Sequence, residues 1–474
     1  MKDKSKYRYL FKNIGLLALS NIATKFIAFL LVPLYTSILT TEEYGAYDFI
    51  FSTVGILVPV LTINIYEAVL RYSMDKACLP ADVFSVGLRF CLLGNIAVVI
   101  ILLINHILEI STLVAGFAIY FFLIFFTTSL SGIVTSMARG LGKIKELSIA
   151  SVLASAVTIG LNVFLLCVLR LGIDGYFIAN ILGIAAQIVI LLISIQGWKY
   201  VCLFSYNKQT FTEMVNYSLP TIANAIAWWI NGLSDRYIVI FFHGIAVNGI
   251  YSVATKIPSI LNLFQSIFSQ AFMLSAVKEF DRDDKNGFFR NTFSSYNFVL
   301  VCACSLIICF DKLLAKFLYI NDFYEAWKYV PFLTISIIFG SLSGYMGSIF
   351  AAQKHSEYFA KCSGAGALAN VILNVMLVPS FSALGASIAT AISYWVVYGV
   401  SMFYLKRTMS IQILVVRDNV AYSLLMFQAF SILLISSNAI YCYLVQIIFL
   451  LIELMLYKKE ILSMLGKLKT MVRR

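Results

Sequence analysis

Residues 84–105 read FSVGLRFCLLGNIAVVIILLIN, 22 residues in which Arg89 is the only charge. As a helix such a run spans about 30 Å, the thickness of a membrane's hydrocarbon core. The pattern recurs along the chain. Predominantly apolar segments lie at 14–38, 47–70, 84–105, 113–137, 147–169, 175–196, 219–242, 248–274, 293–310, 329–351, 358–378, 384–405, 419–435 and 439–457, fourteen in all. The 474 residues are 61% hydrophobic and 12% charged, with a mean hydropathy of +0.90. Soluble domains carry about 45–50% apolar and about 25% charged residues. These values exclude disorder, a disulfide scaffold and an ordinary soluble enzyme. They predict an all-α integral membrane protein of about 14 transmembrane helices; barrel strands would alternate in pieces of ~10 residues. The first segment is too long for a signal-peptide core and no small-residue cleavage site follows it, so it is expected to be retained.

Lys and Arg orient the spans. With both termini placed inside, four of the 35 basic residues fall in outside loops (Arg170, Lys312, Lys316, Lys328) and four within spans (Lys25, Arg89, Arg236, Lys256), leaving 27 inside. That bias predicts a multi-pass protein with both ends cytoplasmic. It also accounts for the net charge of +12, so the charge is no argument for a nucleic-acid partner, and the basic tails suit contact with anionic membrane lipids. Seven of the nine Cys lie in apolar segments, and Cys78 and Cys202 in loops assigned to the cytoplasm. No CxxC occurs and the three His are far apart, so neither a metal nor a cofactor is expected.

The chain repeats itself. YGAY (44–47) is echoed by NGIY (248–251), LNVFL (161–165) by LNVML (373–377), and GYFIA (175–179) by GASIA (385–389), in the same order and at nearly one offset. The unit is six helices, an even number, so the two copies share one orientation. This predicts two parallel six-helix bundles, 1–210 and 211–410, around a cleft, followed by two extra transmembrane helices and a basic tail, 411–474. Such a plan is that of an alternating-access transporter.

The stretch FLLVPLYTSILTTEEYGAYDF (29–49), with Pro33, Tyr35, Thr36, Glu43-Tyr44-Gly45 and Tyr47, resembles the N-terminal signature of polysaccharide-biosynthesis exporters. These are the Wzx-type O-antigen and repeat-unit flippases of the multidrug/oligosaccharidyl-lipid/polysaccharide superfamily. Length, span number and repeat extend the resemblance over the whole chain. It implies an extruder-like fold and export of a lipid-linked oligosaccharide across the bacterial cytoplasmic (inner) membrane. An associated polysaccharide polymerase is a candidate partner.

Charges inside spans are costly, about 2.5–3.5 kcal/mol each at a helix centre, and mark candidate sites. The candidate cavity cations are Lys25, Lys256, Arg89 and Arg236. Arg89 can instead snorkel to the inner interface, and Arg236 can instead pair structurally with a carboxylate. Among the acids, Asp235 and Asp48 are the candidates for coupling to H+ or Na+, with a local ion pair as the alternative for Asp235. Glu67 and Glu453 lie toward inner helix ends and read as structural or interfacial. Pro33 and Pro59 interrupt spans one and two, Pro220 opens span seven and Pro258 interrupts span eight. Bends in corresponding helices of two halves point to a binding site and its gates. Asn162 and Asn374 occupy equivalent repeat positions and read as interhelical glue.

No catalytic motif survives inspection, so no enzyme is expected. GLGK (140–143) lacks the upstream Gly and the Ser/Thr of a phosphate loop, and DRDDKNG (281–287) reads as a solvated loop. Three functions compete: a flippase for polyprenyl-pyrophosphate-linked oligosaccharide, a cation-coupled multidrug antiporter of the same fold, and a membrane glycosyltransferase or polysaccharide polymerase. The short external segment 311–328 counts against the third. The topology is open to direct measurement. Reporter fusions at 245 and 381 should report as external and one at 285 as cytoplasmic; cytoplasmic signals at both 245 and 381 would refute the span map.

Overall fold

In the computed structural model the described residues are 24, 26, 29–75, 77–201, 207–278, 281, 283–353, 355–435 and 439–462. All regular structure among them is helical. Among the described residues eight helices are by themselves long and apolar enough to cross a membrane, and one of these, Glu357–Thr408, carries two of the expected spans. Large side chains such as Phe241 and Leu434 stand 81% and 82% exposed, which suits a lipid solvent and not water. The protein is a multi-pass, all-α membrane protein. By backbone contact it forms two units, Met1–Ser234 and Asp235–Arg474. The division falls inside a long helix, Lys208–His243, not in the loop before it.

The first unit contains α1 (Val32–Ile38), α2 (Thr41–Leu61), α3 (Ile65–Ser73), α4 (Pro80–Leu108), α5 (Thr112–Gly116), α6 (Ala118–Gly140), α7 (Ile144–Asn162) and α8 (Gly172–Ile195), followed by most of α9 (Lys208–His243). The exporter-like signature is the joint between α1 and α2. Thr40 and Glu43 cap α2 reciprocally: Glu43 N–H donates to Thr40 Oγ1 at 3.2 Å, and Thr40 N–H donates to Glu43 Oε2 at 2.8 Å. Both bonds satisfy backbone donors that a helix start leaves open. Tyr35 stacks on Tyr44, centroids 5.0 Å apart and rings 7° from parallel. α7 runs on as a π-helical stretch, Val163–Val168, through the first copy of the LNVxL motif.

The second unit contains α10 (Ile245–Ala254), α11 (Ser259–Lys278), α12 (Phe288–Cys309), α13 (Asp311–Leu318), α14 (Val330–Ala352), α15 (Ser356–Thr408), α16 (Val415–Leu434) and α17 (Ala439–Leu456). The expected span eight is broken at 255–258, between α10 and α11, where Pro258 lies. α15 folds back on itself at Ser382 (φ 54°, ψ −143°), three residues after Pro379, and so supplies spans eleven and twelve. His243 bonds through Nε2 to the carbonyl of Val378 at 2.8 Å. This puts the end of α9 beside the turn of α15, the two places predicted to share the outer side. The loop at 281–287 closes on itself: Asp281 accepts from the N–H groups of Asp283 and Lys285 (3.2 and 3.0 Å), which hold its carboxyl below the usual range. Asp284 accepts from the N–H groups of Phe289 and Arg290 at the start of α12. Asp281 and Asp284 therefore serve the backbone, while Asp283 lies 4.0 Å from Lys285 Nζ.

Pro220, Asn162 and Asn374 differ from the sequence reading. Pro220 does not open a helix, because α9 begins twelve residues earlier at Lys208. Proline is tolerated inside a membrane helix, and the residue after it is tied on both sides: Thr221 Oγ1 donates to Ser218 O at 2.6 Å and Asn64 Nδ2 donates to Thr221 Oγ1 at 2.8 Å. Asn162 and Asn374 do not bridge helices through their amides. Each donates to the carbonyl four residues back in its own helix, Thr158 (2.8 Å) and Asn370 (2.9 Å), a local bond that a short side chain reaches without a partner helix.

The repeat motifs have a shared packing reason. A Cβ on Gly175 would lie 3.1 Å from Leu165 Cβ, and one on Gly385 would lie 2.5 Å from the carbonyl oxygen of Leu377. Leu165 and Leu377 are the last residues of LNVFL and LNVML, so in each copy the glycine lets one helix close onto the end of the previous one. We expect Gly385→Ala to lower the melting temperature of the purified protein more than Gly175→Ala. A backbone carbonyl cannot rotate away, and overpacking costs about 1–3 kcal/mol. Equal or reversed effects would contradict this packing.

Candidate functional site

Each unit brings its repeat motifs to one cluster. In the first unit Tyr47, from YGAY, meets Tyr176, from GYFIA, with centroids 4.5 Å apart and rings 67° from parallel. Tyr176 also lies within 5.5 Å of Tyr35 and 6.1 Å of Tyr44, centroid to centroid. Asp48 follows Tyr47 on α2 and is buried. Four packed phenol rings fix α1, α2 and α8 around this carboxylate. Their mutual burial leaves them as scaffold and not as an open stacking surface.

In the second unit the equivalent motifs converge on Asp235. Its carboxylate is buried on α9. It accepts from the hydroxyl of Tyr251, the last residue of NGIY on α10, at 2.5 Å. It accepts from the hydroxyl of Thr390, directly after GASIA on α15, at 3.3 Å. The N–H of Arg236 supplies a further bond at 2.9 Å. Asn370 Nδ2 donates to Thr390 Oγ1 at 3.4 Å and links a further limb of α15 to the set. The carboxylate is thus held by hydroxyls and a backbone amide from three helices. Its hydrogen bonds come from neutral groups, and the guanidinium of the adjacent Arg236 acts on it electrostatically. Among the described residues no group of three His, Cys, Asp or Glu is placed to hold a metal ion.

The cations are distributed differently. Lys25 lies outside the described residues. Lys256 is half-buried in the break between α10 and α11, five residues after Tyr251, and forms no ion pair among the described residues. Arg236 is half-buried beside Asp235, and Arg89 is half-buried on α4. Pro33 sits in the first turn of α1 and Pro258 in the break that contains Lys256. Pro59 lies in the last turn of α2, where its carbonyl accepts from Asn64 N–H at 2.7 Å. Asn64 also bonds Thr221, so the structure joins the Pro59 and Pro220 regions through one residue. Tyr251 and Thr390 were not singled out as site residues in the sequence. The signal that could have found them is their place in, or beside, the repeated motifs.

Residues 10–273 match the family described as Polysaccharide biosynthesis protein. An uncharacterised membrane protein of Methanocaldococcus jannaschii is 26% identical over 282 residues, 57% of this chain; the chain spans 66% of that relative's length. Among solved structures, the lipid II flippase MurJ in an inward closed conformation has a TM-score of 0.69 at 14% identity, covering 94% of this chain and 99% of its own. An inward-facing multidrug resistance transporter of the MATE family has a TM-score of 0.62 at 14% identity, covering 82% and 94%. These structures share the extruder-like fold with this chain.

The Asp235 cluster predicts that Asp235→Asn abolishes transport while the protein remains inserted and abundant. Tyr251→Phe, which removes the 2.5 Å donor, should displace the pH profile of transport. Neutralising Asp235 and Arg236 together should leave transport absent. Rescue by that double variant would assign the carboxylate to a structural pair.

Proposed function

The chain belongs to the polysaccharide biosynthesis protein family, and from that premise we propose that it flips a polyprenyl-pyrophosphate-linked oligosaccharide repeat unit across the bacterial cytoplasmic membrane, with both termini on the cytoplasmic side. The product serves assembly of a surface polysaccharide such as O-antigen or capsule, and a polymerase would take it up on the far side. The observation that carries the reading is Lys256, a half-buried cation in a helix break with no ion-pair partner among the described residues. In a membrane protein such a charge calls for an anionic counterpart. A pyrophosphate supplies it: a cation about 4 Å from a phosphate gains roughly 4 kcal/mol at an effective dielectric of 20. Lys25 is the matching candidate from the first half of the sequence, with Arg89 and Arg236 in supporting positions. The Asp235 cluster suits a coupling proton or Na+, and Asp48 is its weaker counterpart.

A multidrug antiporter of the same fold is the competing reading, and the sign of the charge separates the two. A site for cationic drugs gains nothing from an added Lys and gains from an acid in its place. Lys25→Ala and Lys256→Ala should each reduce surface display of polysaccharide without loss of inserted protein. Arg at either position should be tolerated better than Ala, and Glu least. Normal display with Glu at both positions, or a deletion strain altered only in drug sensitivity, would overturn the flippase reading.

A further inference from the structure

The joint where α12, α16 and α17 meet is threaded with polar side chains. At one end Asp418 accepts from Arg417 Nη2 (2.9 Å) and from the hydroxyl of Tyr457 (3.1 Å), and Arg417 also pairs with Glu460. Asn297 on α12 donates to Tyr457 Oη and accepts from Tyr422 Oη, each at 3.0 Å. Farther along, Ser305 Oγ donates to Gln428 Oε1 at 3.0 Å, and Gln428 Nε2 returns a bond to Ser305 O at 3.2 Å. Glu453 lies on α17 in this joint. It has no solvent exposure, so it is not the interfacial acid its position in the sequence suggests. Neither carboxyl oxygen makes a hydrogen bond among the described residues.

The groups that face Glu453 are few. From α12 they are the thiols of Cys302 and Cys304 and the hydroxyl of Ser305, which is engaged with Gln428. From α16 the neutral Gln428 bonds that same Ser305. From its own helix side it is Tyr457, one turn on, whose hydroxyl is committed to Asp418 and Asn297. No Lys or Arg among the described residues pairs with it. An ionised carboxylate buried with no paired cation, and with at most one hydroxyl that Gln428 already engages, is far costlier than the neutral acid. A metal ion does not answer the need either, since thiols and one hydroxyl are a poor shell for alkali or alkaline-earth ions.

We propose that Glu453 is a proton-binding site, separate from Asp235, that holds its proton while α12, α16 and α17 are packed together, and that losing this proton to water at alkaline pH weakens their packing. On release the carboxyl O–H bond breaks, its electron pair stays on the carboxylate, and water accepts the proton. This goes beyond the flipping reaction and does not depend on which substrate is carried. The test is infrared difference spectroscopy of the full-length protein in lipid nanodiscs at pH 7, wild type against Glu453→Gln. The wild type should show the carbonyl stretch of one neutral carboxylic acid that the variant lacks. Titration to alkaline pH should remove that band and lower the wild-type melting temperature more than that of the variant. No such band in the wild type, or the same band in Glu453→Gln, would overturn the proposal. Should Glu453→Gln fail to accumulate, Glu453→Met takes its place, and failure of both neutral variants also overturns it, because a neutral acid would then not be what the joint requires.

Discussion

A backbone in hydrocarbon has no water to bond, so every N–H and C=O must be satisfied inside its own helix or by a neighbour. That constraint makes the protein all-helical, and it also makes each interruption informative. The chain leaves helical geometry near 62–64, at 255–258 and at Ser382. At the first, Asn64 ties the loose end to Pro59 and Thr221. At the second, the hydroxyls of Thr255 and Ser259 bond back to the carbonyls of Ser252 and Lys256. The break that exposes these groups also carries the cation on which the functional reading rests.

Polar side chains obey the same rule with higher stakes. Asp235 lies buried but is bonded by two hydroxyls and an amide from three helices. Asp418 lies equally deep and is held by Arg417 and Tyr457. Glu453 has no such partners, which separates it chemically from the other two. Burial alone does not distinguish these acids; the donors around them do.

The internal repeat ties fold to site. In both copies a glycine closes onto the end of the preceding helix, at Leu165 and at Leu377. That closure brings the residues beside the glycine next to the tyrosine of the earlier motif: Tyr176 beside Tyr47 in one unit, Thr390 beside the Asp235–Tyr251 pair in the other. One copy has filled the junction with aromatic rings. The other has filled it with a carboxylate and the hydroxyls that bond it.

The sequence by itself determined the helical membrane class and displayed the paired short motifs. These follow from apolar run length and short motifs, which are local properties of the chain. The signature at 29–49 was also legible, and its physical content proved to be a capping box and a ring stack between neighbouring residues. What only the tertiary structure decided is which polar groups meet. Tyr251 and Thr390 are 139 residues apart, and nothing local in either reveals that both donate to Asp235. Glu453 read as structural or interfacial because its distance from the helix end can be counted, whereas its burial without a bonded partner depends on the packing of other helices over it. Periodicity fixes where a side chain stands on its own helix; the partners that set its charge state come from other helices, and those are chosen by packing.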